Sequence, residues 1–403
     1  MTTLSLPFRR TRSVAEDHLR ANRFEEAERA FGDGAADCPG DARPLANSGH
    51  LALMRNDLVL AEQRLSAAVA RSRRCREAST LLAEVSYRRD DFATAATHQE
   101  AAGNRPVAAK LRSFAGRRPY DIEGPEVVRL PFVRTDPLPI LTARVNGGAE
   151  ARFLLDTGGA ELILDVPFAR AAGIPTFGGQ SSYFGGGKSA MVVQGAAESL
   201  RLGDLTIRNL PVHVMNIGSI GPMLGEPGMA GIVGTCLLYR FLATIDYPGE
   251  ALVLRRKARL GAPSAAAIDV PFLMADDHFM LTEGRLNEGP IDLFFVDSGL
   301  AGGAFTCPAS TLQAAGIVRG STGVAEGKGG GGAMKVWPFN MAALSLGGAR
   351  RESLQGIAGA FPPQLEYEYG FRIGGLVSHG FLSAYAVTFD FERMIIRLEP
   401  AAS

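Results

Sequence analysis

The sequence predicts a mainly β protein made of two duplicated lobes, preceded by an α-helical repeat domain. Three observations predict it. The tripeptides Asp156-Thr157-Gly158 and Asp297-Ser298-Gly299 each close an apolar run. Other landmarks recur around those two tripeptides in the same order, offset by 140 to 144 residues. Closer to the N-terminus, a different set of residues recurs every 34 residues.

Composition bounds what such a chain can do. At about 100–200 residues per domain, 403 residues suggest two to three domains. The 48 glycines imply many turns and hence much β-structure. With 42 basic and 42 acidic residues, nothing favours nucleic acid or an anionic membrane as partner. Cys38, Cys75, Cys236 and Cys307 are scattered with no CxxC, so neither a disulfide framework nor a zinc site is expected. Met1 to Val14 has no apolar core of a signal peptide, and no apolar run reaches the ~20 residues of a spanning helix. The expected location is cytoplasmic, with no metal and no cofactor.

The helical repeat comes first. Phe24, Leu58 and Phe92 are 34 residues apart, and Ala27, Ala61 and Ala95 keep the same step. Polar turns precede each unit at Asn22-Arg23, Asn56-Asp57 and Asp90-Asp91. A period of 34 with small residues where helices cross resembles tetratricopeptide repeats, over roughly residues 12–115. The resemblance implies a concave face that can hold a protein partner. The helix-breaking stretches Ala115 to Pro119 and Glu123-Gly124-Pro125 follow. The expected domains are therefore a helical repeat domain at 1–115, a linker at 116–128, a first lobe at 129–262 and a second lobe at 263–403.

The longer duplication justifies the two lobes. Leu130-Pro131-Phe132 returns as Val270-Pro271-Phe272, and Pro167 returns as Pro308. Gly231-Ile232-Val233-Gly234 returns as Gly375-Leu376-Val377-Ser378, and Thr244-Ile245-Asp246-Tyr247 as Thr388-Phe389-Asp390-Phe391. Glycine-rich stretches, each leading to an Ala-Met pair, stand at Gly185-Gly186-Gly187 and at Gly327 to Gly332. Short runs rich in Val, Ile, Leu and Phe, bounded by Gly and Pro, read as strands.

A carboxylate at the end of a buried strand is costly unless something pairs with it. One Asp-Thr-Gly is a weak signal, but two in equivalent lobes place Asp156 and Asp297 face to face. Over about residues 126–399 the pattern resembles aspartic peptidases, and more closely their retropepsin-like lobes. A homodimer in retroviral enzymes is here a fused pair, as in pepsin, which implies a monomer. The resemblance implies that Asp156 and Asp297 form the catalytic dyad, with one proton between them and an activated water. It implies that Thr157 and Ser298 bond across to the opposite lobe's backbone and that Gly158 and Gly299 are turn glycines.

Ser182 to Ala190 fits a glycine-rich flap, with Tyr183, Phe184, Gly185, Gly186 and Gly187 as candidate substrate contacts. The Gly185 to Ser189 string is not a phosphate-binding loop, because Ser182 stands where that motif needs glycine. Gly327 to Gly332 reads as a second flap or a loop.

The chain departs from the resembled pattern at four places. Gly159 and Leu300 follow the two motif glycines where Ala, Ser or Thr is usual, Ser378 replaces a glycine, and His379 follows it. His278 and His379 read as surface or strand histidines. The leading expectation is an aspartic-type endopeptidase cleaving a peptide or protein precursor. Two alternatives stay open: a cofactor-independent proton-transfer enzyme (epimerase, isomerase or cyclase), and a non-catalytic peptide-binding module.

Overall fold

A computed structural model describes residues 13–218, 220–256, 260–318 and 323–401. Most of the Met1 to Val14 stretch lies outside the described residues. Seven helices come first: α1 (Val14–Arg20), α2 (Phe24–Asp37), α3 (Arg43–Met54), α4 (Leu58–Arg71), α5 (Arg76–Arg88), α6 (Phe92–Ala102) and α7 (Arg105–Arg112). Their starts follow from local chemistry. Ser13 and Glu16 form a capping box on α1, and Asp57 and Asp91 accept the Leu60 and Thr94 N–H groups that open α4 and α6. Ala27, Ala61 and Ala95 are all fully buried where helices pack.

The three polar turns do more than end helices. Asn22, Asn56 and Asp90 all adopt left-handed backbone, with φ of 59°, 58° and 60°. That places each side chain against the β part of the molecule. Asn22 exchanges hydrogen bonds with the Arg372 backbone at 3.0 and 2.9 Å. Asn56 donates to Phe391 O at 2.8 Å, and Asp90 pairs with Arg240 at 2.6 Å.

The β part holds three sheets. The first has eight strands and the last is built on the same plan. Strand Ala151–Leu155 runs parallel to Gly231–Val233, and strand Ile291–Val296 runs parallel to Gly375–Val377, residue for residue. Between them lies a six-stranded sheet shared by both halves. Its centre pairs Phe241–Asp246 with Tyr385–Asp390 antiparallel, with Thr244 opposite Thr388 and their hydroxyls 2.8 Å apart. Its two edges are Val127–Pro131 and Ile268–Pro271, where a proline costs no ladder hydrogen bond.

The 116–128 stretch, expected as a linker, is not free chain. Asp121–Glu123 forms a strand paired with Leu205–Met215. Two apolar clusters also cross from helices to sheets. One joins Phe92, Leu111 and Phe114 to the central β core, and another joins Leu19, Phe31 and Met54 to Phe295, Phe361 and Phe371. Among the described residues no helix is long and apolar enough to cross a membrane. All four cysteines are unpaired.

Candidate active site

Each parallel strand pair delivers one carboxylate. Asp156 N–H bonds Val233 O at 3.0 Å and Asp297 N–H bonds Val377 O at 2.9 Å, so both motifs are pinned as they leave their strands. The chain then turns. Gly158 N–H donates to Asp156 Oδ1 at 2.8 Å, and Gly299 N–H to Asp297 Oδ1 at 2.7 Å. The glycines are obligatory for a reason beyond the turn: each lies under the other half's carboxyl. A Cβ at Gly158 would sit 2.5 Å from Asp297 Cγ, and one at Gly299 would sit 2.2 Å from Asp156 Cγ.

The hydroxyls at the next position lock the halves together. Thr157 Oγ1 donates to Val296 O at 3.0 Å and accepts Ser298 N–H at 2.9 Å. Ser298 Oγ donates to Leu155 O at 3.3 Å and accepts Thr157 N–H at 3.0 Å. Thr157 and Ser298 are fully buried, so these four bonds form without competition from water. They fix the relative position of two loops 141 residues apart.

The two carboxyls are hydrogen-bonded to each other, and their environments differ. Burial and the charge of Asp156 push Asp297 well above the usual carboxylate range. Burial also raises Asp156, but the Asp297 hydrogen bond, the Gly158 N–H and His278 hold it back. Both carboxyls are thus raised by burial, and only Asp297 is raised further by its neighbour's charge.

His278 corrects the sequence reading, which placed it on a surface or strand. Its side chain is 16% exposed, and its Nδ1 lies 2.7 Å from Asp277 Oδ1. Burial would lower its basicity, but Asp277 overrides that and raises it. Burial would raise Asp277, and the bond to His278 brings it instead down to about 2. His379 is also largely buried, at 12% exposure, and its ring packs edge-on against Tyr247 with 5.3 Å between centroids.

The departures at Leu300 and Ser378 turn out to be linked. Ser378 is fully buried, and its Oγ accepts Leu300 N–H at 3.0 Å and donates to Leu300 O at 3.2 Å. The first half has no room for this device, because a Cβ at Gly234 would lie 2.3 Å from Ala160 O. There Thr235 Oγ1 donates to Thr157 O at 2.9 Å instead. Ser378→Ala is expected to cost about 1 kcal/mol, since it removes both bonds that Ser378 Oγ makes to the half-buried Leu300 backbone. Urea denaturation against the parent checks this.

The stretch expected as a flap forms a hairpin of Thr176–Phe184 and Lys188–Leu202 with its tip at Gly185–Gly187. Phe184 packs against an apolar cluster that includes Ile163 and Ile232, whereas Tyr183 is 64% exposed. Gly327 to Gly332 spans the tip of a second hairpin, Ala325–Gly329 with Gly332–Leu346, whose turn is Gly330-Gly331. The tips of the two halves meet: Gly186 N–H donates to Ala360 O at 2.8 Å, and Gly186 lies against Met334.

Residues 141–235 match a family model described as aspartyl protease. The match supports an aspartic-peptidase-like fold for that stretch. The matched stretch contains Asp156, the first flap and Gly234, and it stops before the second motif. No curated protein matches the chain.

Sequence reasoning missed Glu161, Lys110, His278 and Tyr247. Glu161 is buried and meets Lys110 Nζ at 2.6 and 2.8 Å, Tyr87 OH at 3.0 Å and His213 Nε2 at 3.4 Å. Tyr247 is buried near both carboxyls, whose charges with burial push its hydroxyl far up. A signal for His278 was available. It stands 140 residues after Leu138, so the duplication puts a histidine opposite an apolar residue.

Proposed function

We propose that this chain is an aspartic-type endopeptidase cleaving a peptide or protein precursor. The observation that carries this reading is the reciprocal bonding of Thr157 and Ser298, which holds two carboxyls over each other's glycine. In the proposed cycle, ionised Asp156 takes a proton from a water lying between the carboxyls. Asp297 donates its hydrogen to the carbonyl oxygen under attack. The tetrahedral intermediate then collapses. The C–N bond breaks as the proton taken by Asp156 passes to the leaving amine, and one hydroxyl of the intermediate returns its proton to Asp297. The flap excludes water and Phe184 supplies apolar contact.

Four finer readings belong to the same proposal. The two halves are copies of one lobe, at 129–262 and 263–403, supported by the constant offsets and the matching parallel strand pairs. The helices at 1–115 are a tetratricopeptide-like stack, supported by the three left-handed turns at one interval. A single chain suffices for activity, because it carries both carboxyls, and the protein works in the cytoplasm.

Incubating the protein with a peptide library over a range of pH tests the reading, with products read by mass. Cleavage that vanishes in Asp156→Asn supports it. Peptides unchanged in mass but altered in retention would mark proton transfer instead, and no dyad-dependent change in any peptide would sink hydrolysis.

A further inference from the structure

A cavity of about 1180 Å³ is lined by the N-terminal helices and by the β part. Helices α1, α2, α3 and α5 line it together with Asp276, Glu368, Tyr369 and Gly370 of the last sheet region. That volume exceeds the ~300–1,000 Å³ typical of small-molecule pockets and suits a length of chain.

Its lining is strongly acidic. Acidic residues outnumber arginines seven to two. Arg43 is already tied to Asp41, and Arg20 stacks on the Tyr367 ring at 3.5 Å. Burial pushes His50 down to about 4, so it adds no positive charge at neutral pH, and its Nε2 is enclosed without a hydrogen-bond partner. Burial raises the proton affinity of both Asp276 and Glu368; the charge of Asp277 adds to it at Asp276, and that of Asp276 adds to it at Glu368. Asp276 is also bound by Tyr369 OH at 2.6 Å. It stands two residues before His278, whose charge acts on Asp156.

We propose that this groove holds a positively charged segment of the polypeptide substrate, so that the helices select substrates by basic residues remote from the scissile bond. The substrate assignment rests on the endopeptidase reading above; the charge preference of the groove does not.

The test uses the full chain carrying Asp156→Asn, which removes cleavage and leaves the groove intact. Fluorescence anisotropy compares a short labelled peptide rich in arginine and lysine with an acidic peptide of the same length. The basic peptide is expected to bind at least about tenfold more tightly, with affinity falling as salt rises. Asp33, Asp37 and Glu77 are exposed, so the combined Asp33→Asn, Asp37→Asn, Glu77→Gln variant keeps its fold and is expected to lose about tenfold in affinity. In the active protein, a basic tail on a cleaved peptide lowers KM and leaves kcat unchanged. Equal binding of both peptides, or a triple variant that binds normally, overturns the proposal. A tail without effect on KM overturns the substrate assignment alone. Residues 1–12 contain Arg9, Arg10 and Arg12 and no acidic residue. If deleting them strengthens binding tenfold or more, the groove's occupant is this chain's own segment and the proposal falls. A protein that binds the basic peptide but cleaves nothing defeats the endopeptidase reading and leaves the groove's preference standing.

Discussion

Asp297→Asn is expected to lower kcat by about 10²–10⁴-fold, the range for a lost general acid, and to make the folded protein more stable at neutral pH. The second half of that result is the informative one. Asp297 is pushed well above the usual carboxylate range by burial and by Asp156. A carboxyl that holds its proton more tightly when folded gives stability that is fully present at low pH. That stability is lost as pH rises from the ordinary carboxylate range through the raised native value. Asparagine keeps the shape and removes the titration. The parent protein therefore loses more stability over that window than the variant, which keeps only the smaller contribution of Asp156. Thermal unfolding at a series of pH values checks the sign. A variant that is inactive and also less stable at every pH would mean that Asp297 is structural and that the proton assignment is wrong. The activity of the parent should follow a bell. Ionisation of Asp156 sets the acid limb and loss of the Asp297 proton sets the alkaline limb, both displaced upward from ordinary carboxylates.

The tripeptides and the duplicated landmarks led directly to this pair, because a repeat fixes which residues are equivalent and strand periodicity fixes which face they leave. Thr157 and Ser298 were legible for the same reason. The 34-residue interval was legible through Ala27, Ala61 and Ala95, but the work of its polar turns was not. Nothing in the sequence tells Asn22 that its partner is the Arg372 backbone, 350 residues away. Likewise His278 looked ordinary because its meaning depends on a loop from one half lying beside the carboxyl of the other. Ser378 looked like a defect until Leu300 was placed against it: each departure alone weakens the pattern, and together they make a bonded pair. What a single sequence hides here is contact between segments that share no periodicity.

The largest effect on stability should come from a residue that no motif contains. Lys110 on α7 is 1% exposed and Glu161 is 3% exposed, and together they form the ion pair that crosses from the helices to the catalytic loop. Glu161 follows Asp156 by five residues, and the intervening carbonyls of Gly159 and Ala160 accept the N–H groups of Thr235 and Cys236. Lys110→Met keeps the apolar stem and removes the charge, so a carboxylate stays buried with only Tyr87 and His213 beside it. Losing one member of a buried pair costs about 3–5 kcal/mol, much more than the pair itself contributes. The double variant Lys110→Met, Glu161→Gln should recover most of that loss, since no uncompensated charge remains. Urea unfolding of the parent, both single variants and the double variant gives the coupling directly. If Lys110→Met and the double variant are equally destabilised, packing rather than charge holds α7 to the loop. If the double variant recovers stability but not peptide cleavage, the ion pair also positions the loop that carries Asp156, and the helical part is then a component of the active site rather than an appended binding module.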